Sequence, residues 1–434
     1  MRVLGITETC DLGSMYLRLI EEGNEVKVAV SEPLARGTMA GLVPRAEGWE
    51  DELDWVRADP DGIIIFEAIG FGDLQDRLRS EGFNVIGGSA FGDRLENDRD
   101  HALSLLRQFG LKVAPVRKFT SASNGIANLQ RHPRRCVFKL CSSAGETFVG
   151  RLADGADVAA LLRVQPPDEG TAFVLMDHVD GVETGVGAYF NGEQFLQPAC
   201  IDWEHKSFFA GDMGELTGEM GTVATFTGSE RLFEATLKPL ERLFREAGHV
   251  GWVNLNTIIN EQGVWPLEFT CRFGYPGFAV LEPLQALPWS VLISLLTDPK
   301  SDRFPVRGGY STCVVLTTPP MPLSRKEVEA PVGLPLMIGD VDPRHLHLGE
   351  VGASDTGLVT AGLYGWTAVV TGTGETLLES TAGAYDNAAK VYAPNIRYRL
   401  DIGAALISGE LEMLSKWGWL NSTPSDRIAS QIVR

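Results

Sequence analysis

The stretch that decides the fold is Gly251-Trp-Val-Asn254-Leu-Asn256-Thr-Ile-Ile-Asn260-Glu-Gln-Gly263-Val-Trp-Pro266-Leu-Glu268-Phe-Thr270-Cys-Arg272-Phe-Gly274-Tyr-Pro276. Two strand-like runs, Gly251–Asn260 and Val264–Phe273, flank the turn Glu261-Gln262-Gly263, which predicts a β-hairpin. Strand side chains alternate between faces, so Asn254 and Asn256 share one face of the first strand. On the second strand Glu268, Thr270 and Arg272 share a face, and Leu267, Phe269, Cys271 and Phe273 take the other. Glu and Asn oxygens suit Mg²⁺, and an arginine beside them suits phosphate. A solvated sheet face with a surface ion pair is the alternative that spacing alone leaves open.

Upstream, the first ~95 residues alternate short apolar strands with helices. Val3–Thr7, Val26–Ser31, Gly62–Glu67 and Asn84–Gly87 read as strands, and Met15–Glu22 as an amphipathic helix. Continuous β-branched runs such as Ile63-Ile64-Ile65 indicate a parallel sheet covered on both faces. Polar groups are then expected at the strands' carboxyl ends. Asp98–Phe109 reads as a helix stopped by Gly110. A shorter module follows, with strands Cys136–Cys141 and Ala172–Asp177 around a helix near Ala156–Val164. Residues 183–200 read as a hairpin about Asn191-Gly192. Residues 201–222 are rich in Gly and mixed charge, and 230–248 reads as a helix kinked at Pro239. Beyond about Lys300 the pattern turns to short β runs, including Ser311–Thr317 and Thr367–Thr371, with helices at 374–390 and 403–415.

The chain has 434 residues, 38 basic and 57 acidic side chains, and a net charge of −19. Such a surface repels phosphate backbones and anionic lipid, so neither a nucleic-acid duplex nor a membrane is the expected partner. Six scattered cysteines with no C-x-x-C pair exclude a disulfide framework and zinc-type spacing. With no apolar run of transmembrane length, the expected compartment is the cytoplasm. The chain is expected to be a monomer or homodimer.

The hairpin resembles the metal-binding strand of ATP-grasp enzymes, whose pattern is Glu-x-Asn-x-Arg, and Leu267 to Pro276 is most similar to glycinamide ribonucleotide synthetase. Further motifs match in order. Asp180-Gly181-Val-Glu183 resembles the D-G-x-E after the adenine hinge, and Trp203-Glu-His205-Lys206 resembles D-H-K-R. Glu215-Leu-Thr-Gly-Glu-Met-Gly221 resembles a T-G-G-M-G loop with Glu219 as its one change. His347-Leu-Gly349 and Tyr398-x-x-Asp401-Ile402-Gly403 resemble that family's C-terminal domain.

The resemblance implies an α/β fold in three parts. These are an N-terminal parallel α/β (pre-ATP-grasp) domain over 1–95, an ATP-grasp domain over 96–295 with a lid near 118–180, and a small α+β, barrel-like domain over 296–434. It also implies ATP and Mg²⁺ as cofactors. Arg99, Lys139, Asp177 on the hinge strand Met176–Val179, and Glu183 then hold the nucleotide, lying between the lid and the hairpin. Lys139 contacts phosphates, the hinge backbone contacts adenine, and Glu183 reaches the ribose. Glu268, Thr270 and Asn256 hold the metal. Asn256 stands where biotin carboxylase has a second metal-binding carboxylate. Arg272 faces the transferred phosphate, and Lys206 joins it as a catalytic group. Thr217, Gly218, Met220, Gly221 and Tyr275 contact the substrate.

Departures from the pattern bear on the substrate. The family's Gly-rich opening loop is Thr7-Glu8-Thr9-Cys10-Asp11-Leu12-Gly13-Ser14 here, acidic and without arginine. Gly13 and Ser14 retain N–H groups for an anion. The family's R-F-G-D-P-E reads Arg272-Phe-Gly-Tyr275-Pro-Gly277, which removes two acids. The phosphate loop after Lys139 reads Cys141-Ser-Ser-Ala-Gly145-Glu146. With Asn256 and Thr270 neutral, Glu268 alone brings a full charge to Mg²⁺ from the hairpin. That predicts weak metal affinity without nucleotide, or a further ligand elsewhere.

The expected activity is ATP-dependent ligation of a small carboxylate to a small amine through an acyl phosphate, with an acid or amine other than that family's. A genuine phosphoribosylamine–glycine ligase and a catalytically silent ATP-binding partner are the alternatives. The three differ in whether ADP forms and with which substrates.

Overall fold

The structure, a computed structural model, describes residues 1–141, 147–168 and 170–420. It divides into two compact units. One comprises residues 1–98, 183–257 and the chain from 268 onward; the other comprises residues 99–182 and 258–267.

The larger unit begins with four parallel strands, Arg2–Thr7, Glu25–Val30, Ile63–Phe66 and Asn84–Ile86, the first lying between the second and third. Alternation splits their side chains into two cores. Val3, Ile63, Ile65 and Ile86 pack with Met15, Tyr16 and Leu19 of the helix Gly13–Glu21. Leu4, Ile6, Ile64, Phe66 and Val85 pack on the other side with Val56 and Leu78. Both faces are covered, so all four residues of Ile63–Phe66 are buried, as the uninterrupted apolar run requires.

An antiparallel sheet of eight strands forms the centre. Its order is Gly263–Thr270, Val250–Asn260, Val182–Asn191, Cys200–Phe209, Met213–Thr225, Tyr310–Thr317, Trp366–Gly374 and Leu346–Leu348. Residues 201–222, Gly-rich and of mixed charge, form most of two long paired strands. Residues 213–218 are the more exposed end, while 219–225 are buried. One sequence expectation changes here. The strand expected over Val264–Phe273 ends at Thr270. The late strands Tyr310–Thr317 and Trp366–Gly374 extend this same sheet, in register Gly221↔Val314 and Val314↔Val370. The helix Leu377–Ala388, opened by a Thr376/Glu379 capping box, is tied to it by Ser380 Oγ and Thr312 Oγ1 at 2.9 Å.

The smaller unit has four antiparallel strands in the order Val116–Phe119, Phe173–Asp177, Cys136–Leu140, Thr147–Val149, with helices Ala122–Arg131 and Ala156–Val164. Phe173 is buried between the rings of Phe119 and Phe138, at 5.6 and 5.4 Å. Truncating it to alanine costs about 3–5 kcal/mol for a ring of this kind. Among the described residues no helix is long and apolar enough to cross a membrane.

Candidate active site

The site in the larger unit is built on the strand Cys200–Phe209. Its period-two face carries Asp202, Glu204 and Lys206. Lys206 Nζ lies 2.8 Å from Glu268 Oε1, 3.2 Å from Glu204 Oε2 and 3.9 Å from Glu183 Oε1. From the hairpin strand Val250–Asn260, one strand beyond Val182–Asn191, Asn256 Nδ2 donates to Glu204 at 2.8 Å and Asn254 Nδ2 to Asp202 at 3.2 Å. Four sequence-predicted residues, Lys206, Glu268, Glu183 and Asn256, thus come together around Glu204. Burial lowers the Lys206 pKa, but Glu204, Glu268 and Glu183 overrule it and hold the ammonium well above its ordinary value. Burial, then the nearby Glu204, pushes the Asp202 carboxyl well up.

The predicted loop Thr217–Gly221 is a bulge within the strand Met213–Thr225. Pairing runs from Ser207↔Leu216 to His205↔Gly221, so between these rungs one residue, Lys206, faces four, 217–220, on the other strand. Thr217 Oγ1 donates to the Lys206 carbonyl at 2.7 Å and fixes the bulge against the lysine. A Cβ at Gly218 would meet Trp366 Cζ2 at 3.0 Å, so only glycine fits without displacing the indole. Met220 is buried with Phe208 and Met321 against Trp366. Glu219 is 6% exposed. Its Oε1 has no hydrogen-bond partner among the described residues. Burial, with Glu204 and Asp202 close by, raises its pKa well above the carboxylate range.

Beyond the strand end, Arg272 is not a ladder position. Its Nε and Nη2 both lie 3.1 Å from Glu96 Oε1, and Glu96 Oε2 accepts the Cys271 N–H at 2.9 Å. Burial raises the Glu96 pKa against the pull of Arg272. Thr270 is half-buried at the last strand position. Tyr275 stacks on Trp366, with ring centroids 4.9 Å apart and planes at 22°, and its buried Oη has no partner among the described residues.

The opening turn is closed on itself. Thr9 and Cys10 N–H donate to Thr7 Oγ1 at 3.2 and 2.7 Å, and Leu12 N–H donates to Glu67 Oε2 at 3.2 Å. Gly13 N–H donates to the Cys10 carbonyl at 3.1 Å, so the donor expected of Gly13 is already used. Glu67 also accepts from Thr7 Oγ1 at 2.8 Å and Tyr16 Oη at 2.6 Å. Burial, then Asp11, lifts its pKa to about 7. Arg18 is committed elsewhere, to Glu282 at 2.9 Å. Arg45, which the sequence did not single out, acts on Cys10, and Arg272 acts on Asp11, so two cations reach a turn that also holds Glu8 and Glu67.

In the smaller unit Lys139 lies on Cys136–Leu140, opposite Val174. Arg99 opens the helix Arg99–Gln108 and its Nη2 lies 3.8 Å from Met176 Sδ. The Asp177 carboxylate is held by Arg134 Nε at 2.5 Å. Asp177 and His178 N–H donate to the Pro115 and Arg135 carbonyls, at 2.9 and 3.1 Å. The adenine-hinge expectation over Met176–Val179 therefore loses these two donors. Of the Cys141–Glu146 loop, residues 142–146 lie outside the described residues.

Glu204, Asp202, Glu219, Glu96 and Glu67 were given no role from sequence. The period-two pattern Asp202, Glu204, Lys206 is the signal that could have found the first two. Glu96 and Glu67 become visible only when distant segments meet. For Mg²⁺ the chemistry of the donors fits, since Glu268, Glu204 and Asn256 offer hard oxygens from three strands of one sheet. Among the described residues no three carboxylates or imidazoles converge on one point; the oxygens surround Lys206 Nζ instead.

Residues 97–278 match the model of the phosphoribosylglycinamide synthetase ATP-grasp (A) domain. The phosphoribosylamine–glycine ligase of Nostoc sp. is 27% identical over 345 residues, covering 76% of this chain and 80% of that protein. The crystal structure of phosphoribosylamine–glycine ligase from Thermotoga maritima superposes with a TM-score of 0.70 at 20% identity, covering 93% of this chain and 100% of that one. The biotin carboxylase domain of Hydrogenobacter thermophilus 2-oxoglutarate carboxylase, solved with magnesium ADP and bicarbonate, shares the fold with a TM-score of 0.61 at 11% identity over 97% of this chain and 99% of that one. Residues 97–278 are thus similar to the phosphoribosylglycinamide synthetase ATP-grasp (A) domain, and the chain as a whole resembles phosphoribosylamine–glycine ligases in sequence and shares the fold of ATP-grasp enzymes.

Proposed function

We propose that the chain activates a small carboxylate with ATP and couples it to an amine other than the phosphoribosylamine and glycine pair. The carrying observation is the Lys206 ammonium held by Glu268, Glu204 and Glu183 on one strand face, with Asn256 fixing Glu204. A carboxylate is a poor electrophile. Transfer of the γ-phosphoryl group breaks the Pγ–O bond of ATP, forms an acyl phosphate and releases ADP; amine attack on the acyl carbon then expels phosphate. Arg99, Lys139, the carbonyls and Val179 end of the hinge that includes Asp177, and Glu183 are assigned to the nucleotide. Residues 118–180 are assigned to the lid that keeps water from the acyl phosphate. Arg272 and Lys206 are assigned to charge developing on the transferred group, which is electrostatic work by preorganised cations. Glu268 with Asn256, Thr270 and Glu204 would hold Mg²⁺, whose contribution when bound is to neutralise phosphate charge. Thr217, Gly218, Met220, Gly221 and Tyr275 are assigned to the acceptor pocket.

The different-substrate reading is supported by the opening turn. A sugar phosphate there would meet Glu8 and Asp11, while the N–H groups of Thr9, Cys10, Leu12 and Gly13 are already engaged. At ~4 Å and an effective dielectric near 20, each carboxylate opposes it by roughly 4 kcal/mol before screening. The test is a coupled ADP assay across amino acids and amines. ADP is expected only when acid and amine are both supplied. A kcat/KM above about 10⁴ M⁻¹s⁻¹ with freshly generated phosphoribosylamine and glycine would overturn the substrate reading. ATP binding with no ADP from any pair would favour the silent partner.

A further inference from the structure

The bulge places an acid where the resembled loop has a glycine. Glu219 is buried, and its Oε1 accepts no hydrogen bond among the described residues. Burial and the neighbouring acids favour its protonated form while no cation is present, and a cation set against it would favour release of that proton. Its surroundings are acidic and aromatic. Its charge is felt by Tyr275 and Cys313, and it lies within the field of Glu204, Asp202 and Lys206. Tyr275 and Trp366 stack at 4.9 Å, and Tyr364 flanks Trp366 at 5.4 Å. Two more buried polar atoms nearby, Tyr275 Oη and Trp366 Nε1, also have no partner among the described residues. Ring faces beside a carboxylate attract an organic ammonium through both cation–π and ionic terms. The rings of Tyr275, Tyr364 and Trp366 keep part of their surface open, so a ligand could approach from that side.

We propose that Glu219 is the specificity-determining counter-charge for an ammonium-bearing substrate whose apolar body lies against Tyr275 and Trp366. The inference rests on the ligase reading only in calling this ligand a substrate.

The probes are benzylammonium and its neutral isostere benzyl alcohol, titrated calorimetrically into the full chain without nucleotide. The wild type should bind benzylammonium at least tenfold more tightly than benzyl alcohol. E219Q should reduce that preference to within twofold, E219D should retain most of it, and W366L should weaken both probes together. A wild type that binds neither probe, or a preference unchanged in E219Q, overturns the proposal. If E219Q does not fold, E219D and W366L decide: loss of affinity for both probes in W366L with retained charge preference in E219D supports the site, and no change in either sinks it. Stabilisation by Mg·ATP is measured on the same samples. Its absence in the wild type counts against the ligase reading and leaves the ammonium preference to stand or fall by itself.

Discussion

Removing the Lys206 ammonium should expose how the carboxylates of the site are held together. In K206M, Glu204, Glu268 and Glu183 face one another without their shared cation. The Lys206–Glu204 pair at 3.2 Å is worth about 5 kcal/mol of gross Coulomb attraction at an effective dielectric near 20. Its side chains are 26% and 15% exposed, so solvent screening and desolvation remove most of that. We expect K206M to cost about 2–3 kcal/mol, E204Q about 1 kcal/mol, and the double variant about 1–2 kcal/mol less than their sum. The assay is urea unfolding of the four proteins at pH 8 with the slope constrained by the wild type. The raised lysine pKa contributes stability that is complete below its unfolded value of about 10.4 and is lost only as pH rises through the folded value above it. The coupling should therefore be constant between pH 7 and 9. Additivity within about 0.5 kcal/mol would refute the shared-cation reasoning.

Saturating Mg·ATP should raise the melting temperature, since a ligand at one hundred times its dissociation constant adds about 2.7 kcal/mol to the folded state; an unchanged melting curve contradicts the nucleotide assignment. E268Q and R272A should each lower ADP formation by roughly two decades or more while keeping the wild-type unfolding midpoint within about 1 kcal/mol, and near-full turnover would remove them from the mechanism. Glu67, with a pKa near 7 against an ordinary 4.5, keeps a proton in the folded state that the unfolded chain has released. Wild-type stability should therefore fall relative to E67Q as pH rises from 4.5 to 7, by up to about 3 kcal/mol, and a difference flat in pH would contradict the buried acid.

Much of the architecture was legible because its signals are local. Ile63-Ile64-Ile65 announced a strand covered on both faces, and Gly110 marked the end of the helix that closes at Gln108. The hairpin's alternation was equally readable, and it put Asn256 and Glu268 where they meet Glu204 and Lys206. The long strands across 201–222 were not legible because their glycines and charges break the period-two apolar pattern when the partner strand is out of view. Arg272 was misassigned to the ladder because periodicity does not say where a strand stops. Its Glu96 partner is 176 residues away, beyond any window that spacing rules can read.

The bulge between Leu216 and Gly221 also bears on how such a chain can diverge. Along 221–225 each residue is committed to a rung, so altering one side chain disturbs a neighbour across the ladder. Residues 217–220 stand off the rungs while both ends remain pinned, at Ser207↔Leu216 and His205↔Gly221. A replacement at Glu219 changes what that face presents while the rungs on either side still hold the sheet that carries Lys206. The segment is a place where inheritance of a scaffold and novelty of a ligand can coexist.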